Sequence, residues 1–287
     1  MRYDWRMNGQ ETATDADDHR LLQAARGGDR EALATLLGKH QQRVFGFGLK
    51  MCGDPEDAKD VAQETFLAAV RTLGDFRGDA SITTWLYTVA RSFCIKKRRR
   101  TKGAPARHEP MSKVTTEAAS EPEPSPEQML LGREAREIVA AALDDMEPEA
   151  REVVLLRDIE GLSAAEVAQV TGMSVAAVKS RLHRARQSLR ERLLAVVGEP
   201  SEPATPACPD VLTLLSKKLE EEVSPELCAE MERHVDGCPH CKGLCDSLKR
   251  TLEVCSSLPT PVVPPHVQES LRRAVREAIQ EGAAVRT

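Results

Sequence analysis

The densest chemistry in this 287-residue sequence is the string HVDGCPHC, in which His234, Cys238 and Cys241 stand four and three residues apart. Imidazole and thiolate are good ligands for a borderline-soft ion, and a Cys-x2-Cys turn presents two sulfurs to one tetrahedral centre. If the segment is helical, His234 and Cys238 share a face. Cys208, 26 residues before His234, offers a fourth ligand. Cys228, Cys245 and Cys255 lie in the same stretch, and a single four-ligand site leaves these three thiols to add or exchange ligands. His240 sits inside the turn and is expected to point outward. Cys52 and Cys94 stand apart and read as buried apolar residues. No general acid or base accompanies the cluster in the way a Glu flanks the metal ligands of a deaminase or protease. Nothing indicates catalytic residues, and the chain reads as a non-enzyme.

The surroundings of the cluster say where such a site would work. The N-terminal MRYDWRMNGQE has no apolar signal region. The longest apolar runs, such as Leu193–Val197, are far short of the ~20 residues of a membrane span. The expectation is therefore a cytoplasmic protein without a membrane partner, whose cysteines serve as thiols or ligands rather than disulfides. Hydrophobic content is 41%, aromatics only 3%, and Ala, Leu, Arg and Glu dominate, which predicts an all-α fold. The net charge of −5 hides an asymmetry: Arg91–Arg107 holds eight Lys/Arg and no acid, whereas Glu117–Glu137 is largely acidic. A local basic run of that kind points to nucleic acid.

Pro-rich, polar stretches divide the chain. They predict a helical block at 15–101, a linker at 102–127, a second block at 128–197, a cysteine-rich module at 208–255 and an amphipathic helix at 267–281. In that last helix Leu271, Ala274, Val275 and Ala278 share one face.

Within the first block, Asp57–Leu73 shows an apolar stripe of Ala58, Val61, Ala62, Phe66, Ala69, Val70 and Leu73. Asp60, Gln63, Glu64 and Leu67 lie on the other side, either as a solvated face or as a surface for a basic partner. A second helix near Ile82–Arg99 buries Ile82, Leu86, Val89, Ala90 and Phe93 and ends in KKRRR, more charge than a helix C-terminus requires. In the second block, Ser163 and Glu166 form a capping box, Gly172 supplies a turn and Ser174 caps the next helix. Val178, Leu182, Ala185 and Leu189 form its buried seam. Lys179, Ser180, Arg181, His183, Arg184 and Arg186 lie beside or opposite that seam. This is a helix-turn-helix pattern with a basic recognition helix.

Asp57–Arg100 resembles region 2 of the extracytoplasmic-function (ECF) sigma factors, and Leu143–Leu193 resembles their region 4. The resemblance implies that Asp60, Gln63, Glu64 and Phe66 dock on the clamp helices of the RNA polymerase β′ subunit. It also implies that Phe76, Arg77, Ser81, Trp85, Arg91, Lys96, Lys97 and Arg98 handle the −10 strand, with a core role equally open for Trp85. Lys179, Ser180, Arg181 and Arg184 would read the −35 element of promoter DNA.

The Cys208…His234-x3-Cys238-x2-Cys241 pattern, with Ser224–Glu226 before the His, resembles zinc-binding anti-sigma domains. Here it is joined to the sigma-like part, which implies regulation without a separate anti-sigma protein. The surplus thiols resemble those of metal-responsive sigma factors, with zinc, copper or cadmium as signal. A permanent structural zinc and a thiol-redox switch remain open beside metal sensing. A plain helix-turn-helix repressor leaves the region 2 segment unexplained. Cytosolic metal buffering leaves both DNA-binding blocks unexplained.

Overall fold

The computed structural model describes residues 13–76, 78, 80–100, 126–198 and 202–284. Among them there are helices and no strands, so the all-α expectation holds. Tertiary contacts divide the described chain into two compact units, 13–100 with 169–172 and 259–284, and 126–168 with 173–258.

In the first unit, α1 (Ala13–Arg26) leads into α2 (Arg30–Cys52), and α3 (Pro55–Thr72) and α4 (Ile82–Arg100) follow. The caps explain the boundaries. Asp29 accepts the amides of Glu31 and Ala32 at the start of α2, and Gly53 (φ 70°) ends that helix in a left-handed conformation. Asp54 caps α3 through the Asp57 amide, with Pro55 in the first turn. The core is built from Leu36, Leu37 and Phe47 of α2, Val61 and Phe66 of α3, and Leu86, Tyr87 and Ala90 of α4. A buried His40–Asp18 contact of 2.8 Å ties α1 to α2. The terminal helix α12 (Pro265–Ala284) packs on α2 and α3 through Val267, Leu271 and Val275. The strap before it lies on α2 at Gly46, where a Cβ would stand 3.2 Å from both Pro261 Cδ and Thr260 Cγ2. Glycine is what permits that approach.

In the second unit, α5 (Pro126–Asp145), α6 (Pro148–Val154), α7 (Ala164–Thr171, as far as residue 168) and α8 (Val175–Val197) precede α9 (Val211–Leu219), α10 (Pro225–Gly237) and α11 (Pro239–Ser256). A π-helical turn, Leu155–Ile159, extends α6. Ser163 and Glu166 exchange main-chain and side-chain hydrogen bonds of 2.8–3.2 Å at the start of α7, the expected capping box. Gly172 turns at φ 73° and Ser174 caps α8. Val178, Leu182, Ala185 and Leu189 are buried as the seam predicts. Val211, Leu215, Met231, Cys241, Cys245, Leu248 and Leu252 form a small core shared by α9, α10 and α11, and α9 and α11 both pack on α8.

Candidate metal centre and nucleic-acid interface

The four predicted ligands come together. The ligand atoms of Cys208, His234, Cys238 and Cys241 all lie within 4.8 Å of one another. Each is placed by a different local device. Cys208 is held just ahead of α9 by the Thr205 amide and hydroxyl, both 3.3 Å from its sulfur. His234 comes from the last turn of α10. Cys238 is not on that helix, as the spacing suggested, but at the break between α10 and α11. Pro239 then starts α11 and brings Cys241 around in its first turn.

The spacing suits a tetrahedral ion. Cys208 Sγ and Cys238 Sγ are 3.7 Å apart, and His234 Nε2 lies 3.2 Å from Cys241 Sγ. Zn–S bonds of about 2.3 Å put two thiolates about 3.8 Å apart across a tetrahedron. Three sulfurs and one imidazole are a structural-zinc donor set, so the residues fit such an ion. The thiols also differ in acidity. Hydrogen bonds from Thr205 lower the Cys208 pKa to about 6, whereas burial and then the neighbouring Cys208 push Cys241 up to about 12. One thiolate forms readily; a further one in the same pocket needs a cation.

The three spare thiols do not join the cluster. Cys255 is fully buried, and burial pushes its pKa up. Burial likewise raises Cys245, to about 11. Both serve as apolar packing. Cys228 is half-buried, with its sulfur 3.9 Å from Glu232. His240 Nδ1 donates to the Glu202 carbonyl at 2.6 Å and is not one of the four clustered ligands.

Along α8 the predicted basic face divides. Ser180 and Arg184 are exposed and Arg181 half-exposed. Lys179, in contrast, donates to the Glu220 carbonyl at 2.8 Å and lies 3.2 Å from the Glu222 carboxylate. Arg186 is fully buried rather than basic surface, a correction to the sequence reading. It grips Asp158 through two contacts of 3.0 and 2.6 Å and Glu220 at 2.8 Å. Burial opposes its charge, but the two carboxylates outweigh that and raise its pKa. The sequence reading missed Arg157, Glu220 and Glu222; a run of three glutamates looks like solvated surface.

In the first unit, Glu64 is exposed and Gln63 half-buried on α3. Asp60 is exposed and paired with Lys97 at 2.5 Å, and Lys97 also reaches Asp57 at 2.9 Å. Phe66 is 1% exposed, so a polymerase contact for its side chain is corrected to a core role. Phe76 is also buried, 5.2 Å from the Trp85 ring and with the Arg26 guanidinium over its face at 5.5 Å. A ring sandwiched in this way is not a free platform for a base. Ser81 caps α4 through the Thr84 amide. Trp85 and Arg91 are half-buried, and Lys96 lies over the Phe93 ring at 4.9 Å. Arg77 and the Arg98 side chain lie outside the described residues.

Comparison with known proteins places these elements. Residues 36–103 match the Sigma-70 region 2 family and residues 136–189 the Sigma-70, region 4 family. The RNA polymerase sigma-H factor of Pseudomonas aeruginosa is 34% identical over 194 residues, covering 65% of this chain and 98% of that protein. The ECF RNA polymerase sigma-E factor of Escherichia coli K12 is 28% identical over 184 residues, covering 63% and 96%.

This chain belongs to the ECF sigma factors.

As a sigma factor it is a promoter-selecting partner of core RNA polymerase and not an enzyme. Residues 208–242 of this sigma factor match a putative zinc-finger family, in agreement with the Cys/His cluster. Two solved structures are similar at lower level. The complex of CnrH with the cytosolic domain of CnrY aligns at 27% identity and a TM-score of 0.46, covering 62% of this chain and 98% of that one. The sigma factor RpoE with the anti-sigma factor NepR, from Bartonella quintana, aligns at 21% and 0.43, covering 55% and 92%. Each of those two structures contains a second protein. Among the described residues, no helix is long and apolar enough to cross a membrane.

Proposed function

We propose that this sigma factor is controlled by metal binding to its own Cys/His module. The observation that carries the reading is positional: the four ligands gather in a module whose α9 and α11 lie along α8, the helix with the candidate −35 contacts. Cys208 precedes α9 and Cys241 opens α11, so an ion held by these ligands would tie together the two helices that meet α8. When bound, the ion supplies folding free energy to the module. A ligand shifts activity only by binding one conformation better than another, and a crosslinked module is such a conformation. The tail also sends α12 onto α2 and α3, so each sigma region has an element of the tail packed against it.

Core polymerase docking is assigned to Asp60, Gln63 and Glu64 on the exposed side of α3. Ser81, Trp85, Arg91, Lys96 and Lys97 are assigned to the −10 strand. Lys179, Ser180, Arg181 and Arg184 are assigned to the −35 element, with base edges and phosphates shared among them.

Zinc suits the donor set best; copper and cadmium are the other thiophilic signals to test. A purely structural zinc is the second reading, favoured by the burial of Cys245 and Cys255, which stand outside the four-ligand cluster as packing residues. Run-off transcription with core enzyme, titrating zinc, copper and cadmium in parallel into metal-stripped protein, separates the two. Control by metal predicts a transcription level that tracks occupancy; a structural ion predicts only loss of folding on stripping.

A further inference from the structure

Three cations of the second unit converge on one four-residue turn at the end of α9. Arg157 Nε lies 3.2 Å from Glu220 Oε2, and its Nη2 lies 3.3 Å from the Leu219 carbonyl. Lys179 Nζ takes the Glu220 carbonyl and the Glu222 carboxylate. Arg186 takes Glu220 Oε1. The turn is held in shape by the Glu221 amide on the Lys218 carbonyl and the Glu222 amide on the Lys217 carbonyl, 3.1 and 2.9 Å. Such closure places one residue in the left-handed region, normally a glycine. Here it is Glu221 (φ 57°), the one non-glycine residue with positive φ among those described. The result is a cluster of carbonyl and carboxylate oxygens facing Lys179 and Arg157.

The same side of α8 is engaged along its length. Lys179, His183, Arg186 and Arg190 follow at helical spacing. His183 Nε2 lies 3.3 Å from Thr213 Oγ1, and Arg190 donates to Ser247 at 2.6 Å. Ser180 and Arg184 remain exposed on the other flank.

We propose that the Leu219–Glu222 turn stands where a DNA backbone phosphate would sit, so that the tail and duplex DNA compete for Lys179 and Arg157. A phosphate is a compact group of anionic oxygens that Lys meets as a point charge and Arg as a fork. The turn offers the same chemistry. Lys179 lies early in the recognition helix, the half that approaches the groove. Arg186 is also paired with Asp158 through two contacts that do not involve the turn. The proposal rests on α8 being the sigma factor's recognition helix, and it does not depend on which metal, if any, is sensed.

The test uses the full chain, in one metal state, and a labelled duplex of arbitrary sequence, because phosphate contacts carry no base information. Glu222→Gln takes the carboxylate from Lys179, leaving it only the Glu220 carbonyl, and should tighten binding about three- to fivefold, the scale of a partly exposed ion pair. Glu230→Gln, the same charge change at an exposed position of α10, controls for long-range electrostatics and should change binding less than twofold on the order expected for a screened charge. Glu221→Gly also removes a charge, but it relieves the left-handed conformation and steadies the turn, so binding should weaken severalfold. In a Lys179→Ala background the Glu222→Gln gain should vanish. A gain no larger than that of Glu230→Gln overturns the proposal. So does a gain that survives Lys179→Ala, or tighter binding by Glu221→Gly. If these arms hold while transcription ignores metal, the metal reading fails and this one stands.

Discussion

Arg186 of α8 and Glu220 at the end of α9 meet at 2.8 Å, with neither side chain in water. Asp158 completes the pairing from the π-helical turn, and Arg157 brings a second guanidinium to Glu220. Two positive and two negative groups therefore balance only while the cysteine-rich module is docked on α8.

Removing Glu220 should undo that balance. Glu220→Ala leaves Arg186 with Asp158 alone and takes from Arg157 its carboxylate, and loss of one member of a buried pair costs about 3–5 kcal/mol. Chemical denaturation of the full chain should show the loss, and limited proteolysis should cut at residues 203–224 first. Stability within 1 kcal/mol or so of the parent, the scale of a surface pair, would mean the network contributes no more than surface ions do.

Glu64 tests polymerase docking cleanly. Asp60 shares Lys97 with Asp57, so reversing Asp60 also disturbs an ion pair between α3 and α4. Glu64 is exposed. Glu64→Lys should abolish co-purification with core enzyme at unchanged helicity and melting temperature. Full retention of core binding would remove this face of α3 from the interface.

The expected −35 readers differ in what they lose. Arg181→Ala or Arg184→Ala should cost about 1–3 kcal/mol at a matched promoter if the side chain forks onto a base, with relaxed preference at one position. Binding measured across single-base promoter variants decides it. An equal loss on every sequence would make the residue a phosphate contact.

Much of this was legible in the sequence because it is local. Ser163 and Glu166 are three residues apart, Gly172 needs its positive φ, and the four ligands lie within one short module. What was not legible depends on distance. Arg186 reads as one more basic surface residue until Asp158 and Glu220, 28 and 34 residues away, are placed beside it. Phe66 reads as a docking residue by resemblance, although its place on the apolar stripe of α3 already pointed inward. The spare thiols misled for the same reason: Cys245 and Cys255 follow the packing of α11, not the ligand pattern.

The acidity of Cys208 gives a test that needs no DNA. Hydrogen bonds from Thr205 hold its pKa near 6, below its ordinary value of 9.0. In metal-stripped protein its alkylation should stay fast down to about pH 6 and then fall. Its contribution to the stability of the stripped module is present above the unfolded pKa and is lost as pH falls through the folded one, between about 9 and about 6. Alkylation of Cys208 that tracks an ordinary thiol across this range would contradict the Thr205 arrangement.

Control by the tail's own metal site is tested most directly by run-off transcription with purified core enzyme. The full chain and its Cys238→Ser variant are compared, each metal-loaded and metal-stripped, at matched concentration and with folding checked by circular dichroism. The parent protein should transcribe at clearly different levels in its two metal states, and the variant should sit at one level in both. Equal transcription by the parent in both states, or a metal response that persists in a variant that no longer binds metal, would contradict control through Cys208, His234, Cys238 and Cys241.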